Sequence, residues 1–208
     1  MATERSRPTV GLALSGLAGG LVVALASYGL GGEERQGLQL AAAHTARFSF
    51  ALFIGVYLAG PLLRITGLPL FAAAVRQRRG LGLAFASAHF VHLATLTAYV
   101  RFAHVPESST TLLVGGFAYA CLVAMALTSN DQSVRWLGAR TWRILHAVGM
   151  QALWIVFVLI LLGGTMSHIE GRTIHLIMLG VAIGAAAVRL SAIVLARRAG
   201  RAAPEGLR

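Results

Sequence analysis

Residues 78–102 limit what this chain can fold into more than any other stretch. Arg78 and Arg79 lead into GLGLAFASAHFVHLATLTAYVRF, an apolar run that holds His89 and His92 in its interior. A helix rises 1.5 Å per residue, so roughly 20 residues cross the hydrocarbon core of a bilayer. This run is long enough. An ionisable side chain in the middle of a span costs about 3 kcal/mol on insertion scales, unless a partner or a function compensates. Two histidines three residues apart share one face of a helix. Neutral imidazole is also the commonest metal ligand, so chemistry is expected here first.

Five further apolar runs accompany it. The expected spans are 10–30, 46–63, 80–102, 110–127, 144–162 and 173–196, followed by a polar tail over 197–208. The sequence therefore predicts an all-α integral membrane protein, a single domain built as a six-transmembrane-helix bundle. Only 12% of the residues are charged, against about 25% in a soluble domain, which excludes a soluble enzyme. The first run is glycine-rich (Gly11, Gly16, Gly19, Gly20), as close helix packing requires. At about 20 residues it exceeds the 7–15 of a signal-peptide core, so a retained span is expected. Pro61 falls near the end of the second run, where a helix stops or kinks at little cost.

The net charge of +11 comes from 18 arginines and no lysine against 7 acids. Such a balance can mark a nucleic-acid binder. Here most of the arginines sit outside the apolar runs, in the segments between them and at the two ends, so they read as orientation signals rather than as a nucleic-acid surface. With the N-terminus inside, 14 of the 18 fall on the cytoplasmic side, and Arg35, Arg47, Arg101 and Arg172 on the other. The positive-inside rule then places both termini and the segments 64–79 and 128–143 in the cytoplasm.

Seven histidines is a high number for so apolar a chain. His89, His92 and His146 are reached from the cytoplasmic side; His44, His104, His168 and His175 lie towards the outer side. The plain reading of each is a hydrogen-bonded or interfacial histidine, and it fits His104 and His168 best. For His92, deep in a span with a second histidine one turn away, a b-type haem held by imidazoles from facing helices is the stronger reading. A tetrahedral zinc site needs more ligands than the spans offer. Cys121 sits in an apolar run and reads as packing. A proton relay usually uses intramembrane Asp or Glu, and the six runs contain neither.

Three motifs carry a family resemblance. They are Arg78-Arg79-Gly80-Leu81-Gly82-Leu83 continuing to His89-Phe-Val-His92-Leu93; Leu127-Thr128-Ser129 followed by Leu137-Gly138-Ala139-Arg140-Thr141-Trp142-Arg143-Ile144-Leu145-His146; and Thr45-Ala46-Arg47 followed by Pro61-Leu62. Over roughly residues 44–195 the chain resembles ferric-reductase-like transmembrane domains. The likeness is to the haem-binding membrane subunit of the bacterial periplasmic methionine sulfoxide reductase system and, more distantly, to the cores of NADPH oxidases. The resemblance implies haem b ligation by His92 and His146, with His89 as an extra candidate beside His92. It also implies haem-propionate contacts for Arg47 and Arg140, although a plain positive-inside arginine explains Arg140 equally well. Trp136, Trp142 and Trp154 are expected as interface anchors or packing.

The chain departs from that pattern at Leu159, where relatives often carry a second histidine on the fifth span. The depths also differ: His92 lies thirteen residues past Arg79, His146 only three past Arg143. That difference is about 15 Å along parallel helices, so His175 or His44 enters as an alternative partner for His92. One haem is expected. The resulting expectation is a multi-pass protein of the bacterial cytoplasmic membrane that passes electrons to an acceptor at the outer face, either ferric iron or a partner enzyme such as a sulfoxide reductase. No flavin or dinucleotide domain fits in 208 residues, so the donor is a cytoplasmic flavin reductase or membrane quinol supplied in trans. The alternative is a non-haem transporter or assembly scaffold that keeps the fold.

Overall fold

A computed structural model describes residues 3–104, 109–166 and 171–202. His168 and the end of the polar tail lie outside the described residues. The order is α1 (Thr3–Leu30), α2 (Glu34–Thr66), α3 (Pro69–Arg76), α4 (Arg78–Ala103), α5 (Ser109–Leu127), α6 (Asp131–Leu137), α7 (Ala139–Met166) and α8 (Arg172–Ala202). No strand occurs among the described residues. Six of the helices, α1, α2, α4, α5, α7 and α8, are long and apolar enough to cross a membrane. They correspond one for one to the six expected runs. An even number of crossings is what a topology with both ends on one side needs.

The helix bounds differ from the apolar runs. α2 begins at Glu34, twelve residues before the expected start, and α7 begins at Ala139, five residues early. Hydropathy marks only the part of a helix that meets lipid. Residues such as Gln36, Leu38, Gln39 and Ala41 continue a helix just as well beyond that part, and Glu34 complements the helix dipole in the first turn. Pro61 does not end α2, which runs on to Thr66. Two short helices occupy what the sequence reads as connections. Pro69 opens α3 at a position where its missing N–H costs nothing. The Asn130 side chain caps α6 by accepting from the Ser133 N–H at 2.8 Å.

The chain packs as two units: residues 1–53 with 79–156, and residues 54–78 with 157–208. In the first unit α1 lies along α4 so closely that a Cβ added at Gly16 would enter the Ala84 backbone. Four residues on, Gly20 faces Ala88 and Val91, and Leu12 faces Gly80. The constant offset shows that α1 and α4 run the same way. α2 runs against α4, with Phe53 on Phe85 (ring centroids 5.4 Å apart), Ser49 on His89 and Thr45 on His92. In the second unit α7 and α8 approach where Gly164 meets the His175 ring, a place with no room for a side chain. The α2 segment of that unit brings Tyr57 under Arg189 of α8, the guanidinium carbon 4.7 Å from the ring centroid.

Candidate functional site

The polar interior of the first unit is built on two facing stripes. On α4, His89 and His92 share one face, their ring centroids 5.3 Å apart. On α2, Thr45 and Ser49 share the opposing face and are completely buried. Each hydroxyl is anchored to its own helix: Thr45 Oγ1 donates to the Ala41 carbonyl at 2.7 Å, and Ser49 Oγ to the Ala46 carbonyl at 3.0 Å. Ser49 Oγ also lies 2.9 Å from His89 Nδ1, the direction of that bond following the imidazole tautomer. His92 Nδ1 lies 3.1 Å from the Ala42 carbonyl. A carbonyl only accepts, so Nδ1 carries the proton.

The carbonyl partner fixes the tautomer of His92. With the proton on Nδ1, the imidazole lone pair of His92 sits on Nε2. A ligating histidine typically shows this arrangement, its far nitrogen hydrogen-bonded to a backbone carbonyl. Thr95 extends the cluster through a 3.0 Å contact with Thr45. Tyr119 of α5 closes the other side of His89: its ring is stacked on the imidazole at 5.0 Å, and its hydroxyl donates to the His89 carbonyl at 3.2 Å.

His146 belongs to a separate cluster. Thr128 Oγ1 donates to the Ala124 carbonyl at 2.6 Å and lies 3.2 Å from His146 Nε2. The Trp142 ring packs on the imidazole at 4.2 Å, and its Nε1–H donates to the Thr128 carbonyl at 2.7 Å. The Arg79 guanidinium lies 5.7 Å from the centroid of that indole ring and pairs with Asp131. Trp142 is thus a fixed joint between α4, α5 and α7, beyond the anchoring role its composition suggests.

The same contacts act as rulers. Arg79 and Trp142 stand at one level; His92 lies thirteen residues past Arg79, and His146 four past Trp142. Nine residues of helix are about 13 Å. Along α5, Tyr119 meets His89 and Thr128 meets His146, again nine residues apart. Two axial nitrogens of one iron stand about 4 Å apart, twice a metal–nitrogen bond of about 2 Å. The structure therefore brings His89 and His92 together, and keeps both apart from His146.

The remaining candidates are dispersed. His44 Nδ1 lies 2.9 Å from the hydroxyl of the buried Ser27 on α1. Arg47 is half-buried on α2, and Arg140 is exposed at the start of α7. His175, in the second unit, has Nδ1 on the Gly171 carbonyl at 3.0 Å, with its ring edge against Gly164. Leu159 is 52% exposed, so position 159 faces away from the helix packing. Among the described residues, no group of three or more His, Cys, Asp or Glu side chains is placed to hold a metal ion. Sequence reading alone missed Ser49, Thr45, Tyr119 and Thr128. The signal was available for two of them: hydroxyls four residues apart on one span opposite histidines three apart on another.

No family model matches the chain, and neither a curated protein nor a solved structure is found to be similar to it.

Proposed function

We propose that the chain is a haem b electron-transfer protein of the bacterial cytoplasmic membrane, with both ends in the cytoplasm. It would pass electrons from a donor in trans, a flavin reductase or quinol, to an acceptor at the outer face. The observation that carries this reading is His92: an imidazole inside a span with Nδ1–H on the Ala42 carbonyl and its lone pair on Nε2. The motifs around His92 and His146 that resemble ferric-reductase-like domains support it independently.

The α4 side suits such a group and the pairing with His146 does not. His92 offers an oriented nitrogen in an apolar span, where loss of hydration strengthens a metal–ligand bond and tunes a potential. His146 stands on the order of 10 Å from that level, so this reading rests on His92 rather than on the pair. Haem bound there would supply a one-electron couple. The chain's own contribution is orientation: Ala42 fixes the His92 tautomer, while Ser49 and Tyr119 hold His89 beside it. Arg47 and Arg140 remain candidates for propionate contacts.

The test is an oxidised-minus-reduced optical spectrum of the purified protein with a haem-to-protein ratio. A b-type spectrum near one haem per chain is expected, lost in His92→Ala and kept in His146→Ala. A colourless protein after expression with added haem would sink the reading. The polar seam would then be structural, because His89 is already bonded to Ser49 and stacked on Tyr119. A small transporter or assembly scaffold would take its place.

A further inference from the structure

The connection between the second and third spans carries an element that the histidine cluster does not use. α3 covers Pro69–Arg76; two residues separate it from the end of α2 at Thr66, and one from the start of α4 at Arg78. Both neighbours are long and apolar enough to span, so α3 is tied to the membrane surface at each end. Two extended residues reach only about 7 Å. The first corner is ordered. Gly67 takes a φ of 66°, in the left-handed region that glycine tolerates, and its N–H donates to the Leu63 carbonyl at 2.9 Å. The Leu68 N–H donates to Thr66 Oγ1 at 3.3 Å. At the far end Gln77 alone joins α3 to α4, with its N–H on the Ala73 carbonyl at 3.0 Å. α3 has no slack to leave the bilayer surface.

The residues of α3 sort into two faces. Leu70, Phe71, Ala74 and Val75 recur at helical spacing on one side, and Arg76 falls opposite with Ala72 and Ala73. Protein does not cover the apolar side: no α3 residue is buried, and Leu70 stays 71% exposed. Ile65 and Leu68, just before the helix, are exposed as well. At a bilayer surface such a face sinks into the boundary between head groups and acyl chains. Arginine marks each end, with Arg64 in the last turn of α2 and Arg76 in the last turn of α3, both exposed. They have no acid at hand. The sequence holds no Asp or Glu between Glu34 and Glu107. Among the described residues no carboxylate is bonded to either arginine, and Asp131 pairs with Arg79.

We infer that α3 is an interfacial helix whose end arginines, Arg64 and Arg76, bind the phosphates of anionic phospholipids. The element needs two neighbours at once, an apolar one for Leu70 and an anionic one for the guanidinium groups. A membrane leaflet supplies both in the right order, acyl chains below and phosphates above. An acidic protein surface would meet the arginines and leave Leu70 in water. The planar guanidinium also matches phosphate oxygens with two parallel hydrogen bonds. Bound lipid would then anchor the connection that leads into α4. The site does not depend on haem and holds for an electron carrier and a transporter alike.

The experiment puts a fluorophore on α3 of the full chain and reads which lipid lies beside it. In a Cys121→Ala background, Leu70→Cys is labelled with a nitrobenzoxadiazole group and the protein is reconstituted into phosphatidylcholine vesicles. Nitroxide-bearing phosphatidylglycerol is compared with nitroxide-bearing phosphatidylcholine, the spin label at the same acyl depth in both. Quenching should favour the anionic lipid by roughly fivefold per arginine at low salt, and the preference should fade at about 1 M salt. Arg64→Gln combined with Arg76→Gln should remove the preference and leave quenching by phosphatidylcholine in place. The same label at Leu21→Cys, fourteen residues from both Arg7 and Arg35, should show none. A label on residue 70 that aqueous iodide reaches and neither lipid quenches overturns the inference and assigns the face to an acidic protein partner. Equal quenching by the two lipids there also overturns it, as does a preference unchanged in the folded double variant or matched at Leu21. Should the double variant not fold, the comparison of the two labelled positions decides.

Discussion

Ser49 shows how one hydroxyl orders a membrane interior. Its oxygen lies 3.0 Å from the Ala46 carbonyl and 2.9 Å from His89 Nδ1, so it ties an α4 imidazole to the α2 backbone. Ser49→Ala should therefore destabilise the protein by about 1–2 kcal/mol, since it removes the hydrogen-bond partner of a buried imidazole nitrogen. Tyr119→Phe should cost less, because the ring stack on His89 survives and only the hydroxyl bond to the carbonyl is lost. Thermal unfolding of the two purified variants in one detergent checks the order. Equal midpoints would mean that the Ser49 bond contributes nothing. None of this was legible in the sequence. His89 and His92 stood out as ionisable groups in an apolar run, whereas serine and threonine are ordinary in membrane helices and gain meaning only from what faces them.

At the scale of elements, packing in the first unit rests on the absence of side chains. α1 can lie on α4 because Gly16 puts no carbon between its backbone and that of Ala84. Small residues are the usual means of close approach in lipid, where no hydrophobic force drives helices together. Gly16→Leu should prise α1 from α4 and disturb the His89 region across it. The expected result is a lower thermal midpoint and a broadened size-exclusion profile, against little change in Gly11→Leu, whose added Cβ meets nothing within 4 Å. Identical behaviour of the two variants would remove the close contact as a structural determinant. The glycine-rich composition of the first run announced close packing. It could not say which of four glycines makes it, because that depends on the rotation of α1 about its own axis.

For the whole molecule, the testable quantity is orientation. From the arginine distribution the α6 segment is expected in the cytoplasm and the segment after α4 outside. In a Cys121→Ala background, Gln132→Cys should react with a membrane-impermeant maleimide only after the cells are opened. His104→Cys should react in intact cells. Both residues are exposed, so accessibility to the reagent reports the side of the membrane. The reverse pattern would invert the topology and every statement about which side donor and acceptor approach.

Sequence alone determined the class of this protein. Six apolar runs of spanning length, with 12% charged residues, leave no other solvent for the chain than a bilayer, because hydropathy is a local property that needs no partner to be read. It also picked out His89, His92 and His146, since an ionisable group in a span is conspicuous wherever it packs. Helix ends were less legible: α2 and α7 begin before the apolar runs, on mixed polar and apolar stretches that hydropathy does not mark. Only the tertiary structure decided the groupings. It paired His92 with the Ala42 carbonyl, separated it from His146 by nine residues of helix, and laid Arg189 on Tyr57. Each of those depends on how one helix is shifted and turned against another. That is a property of pairs of elements, and no single stretch of sequence contains it.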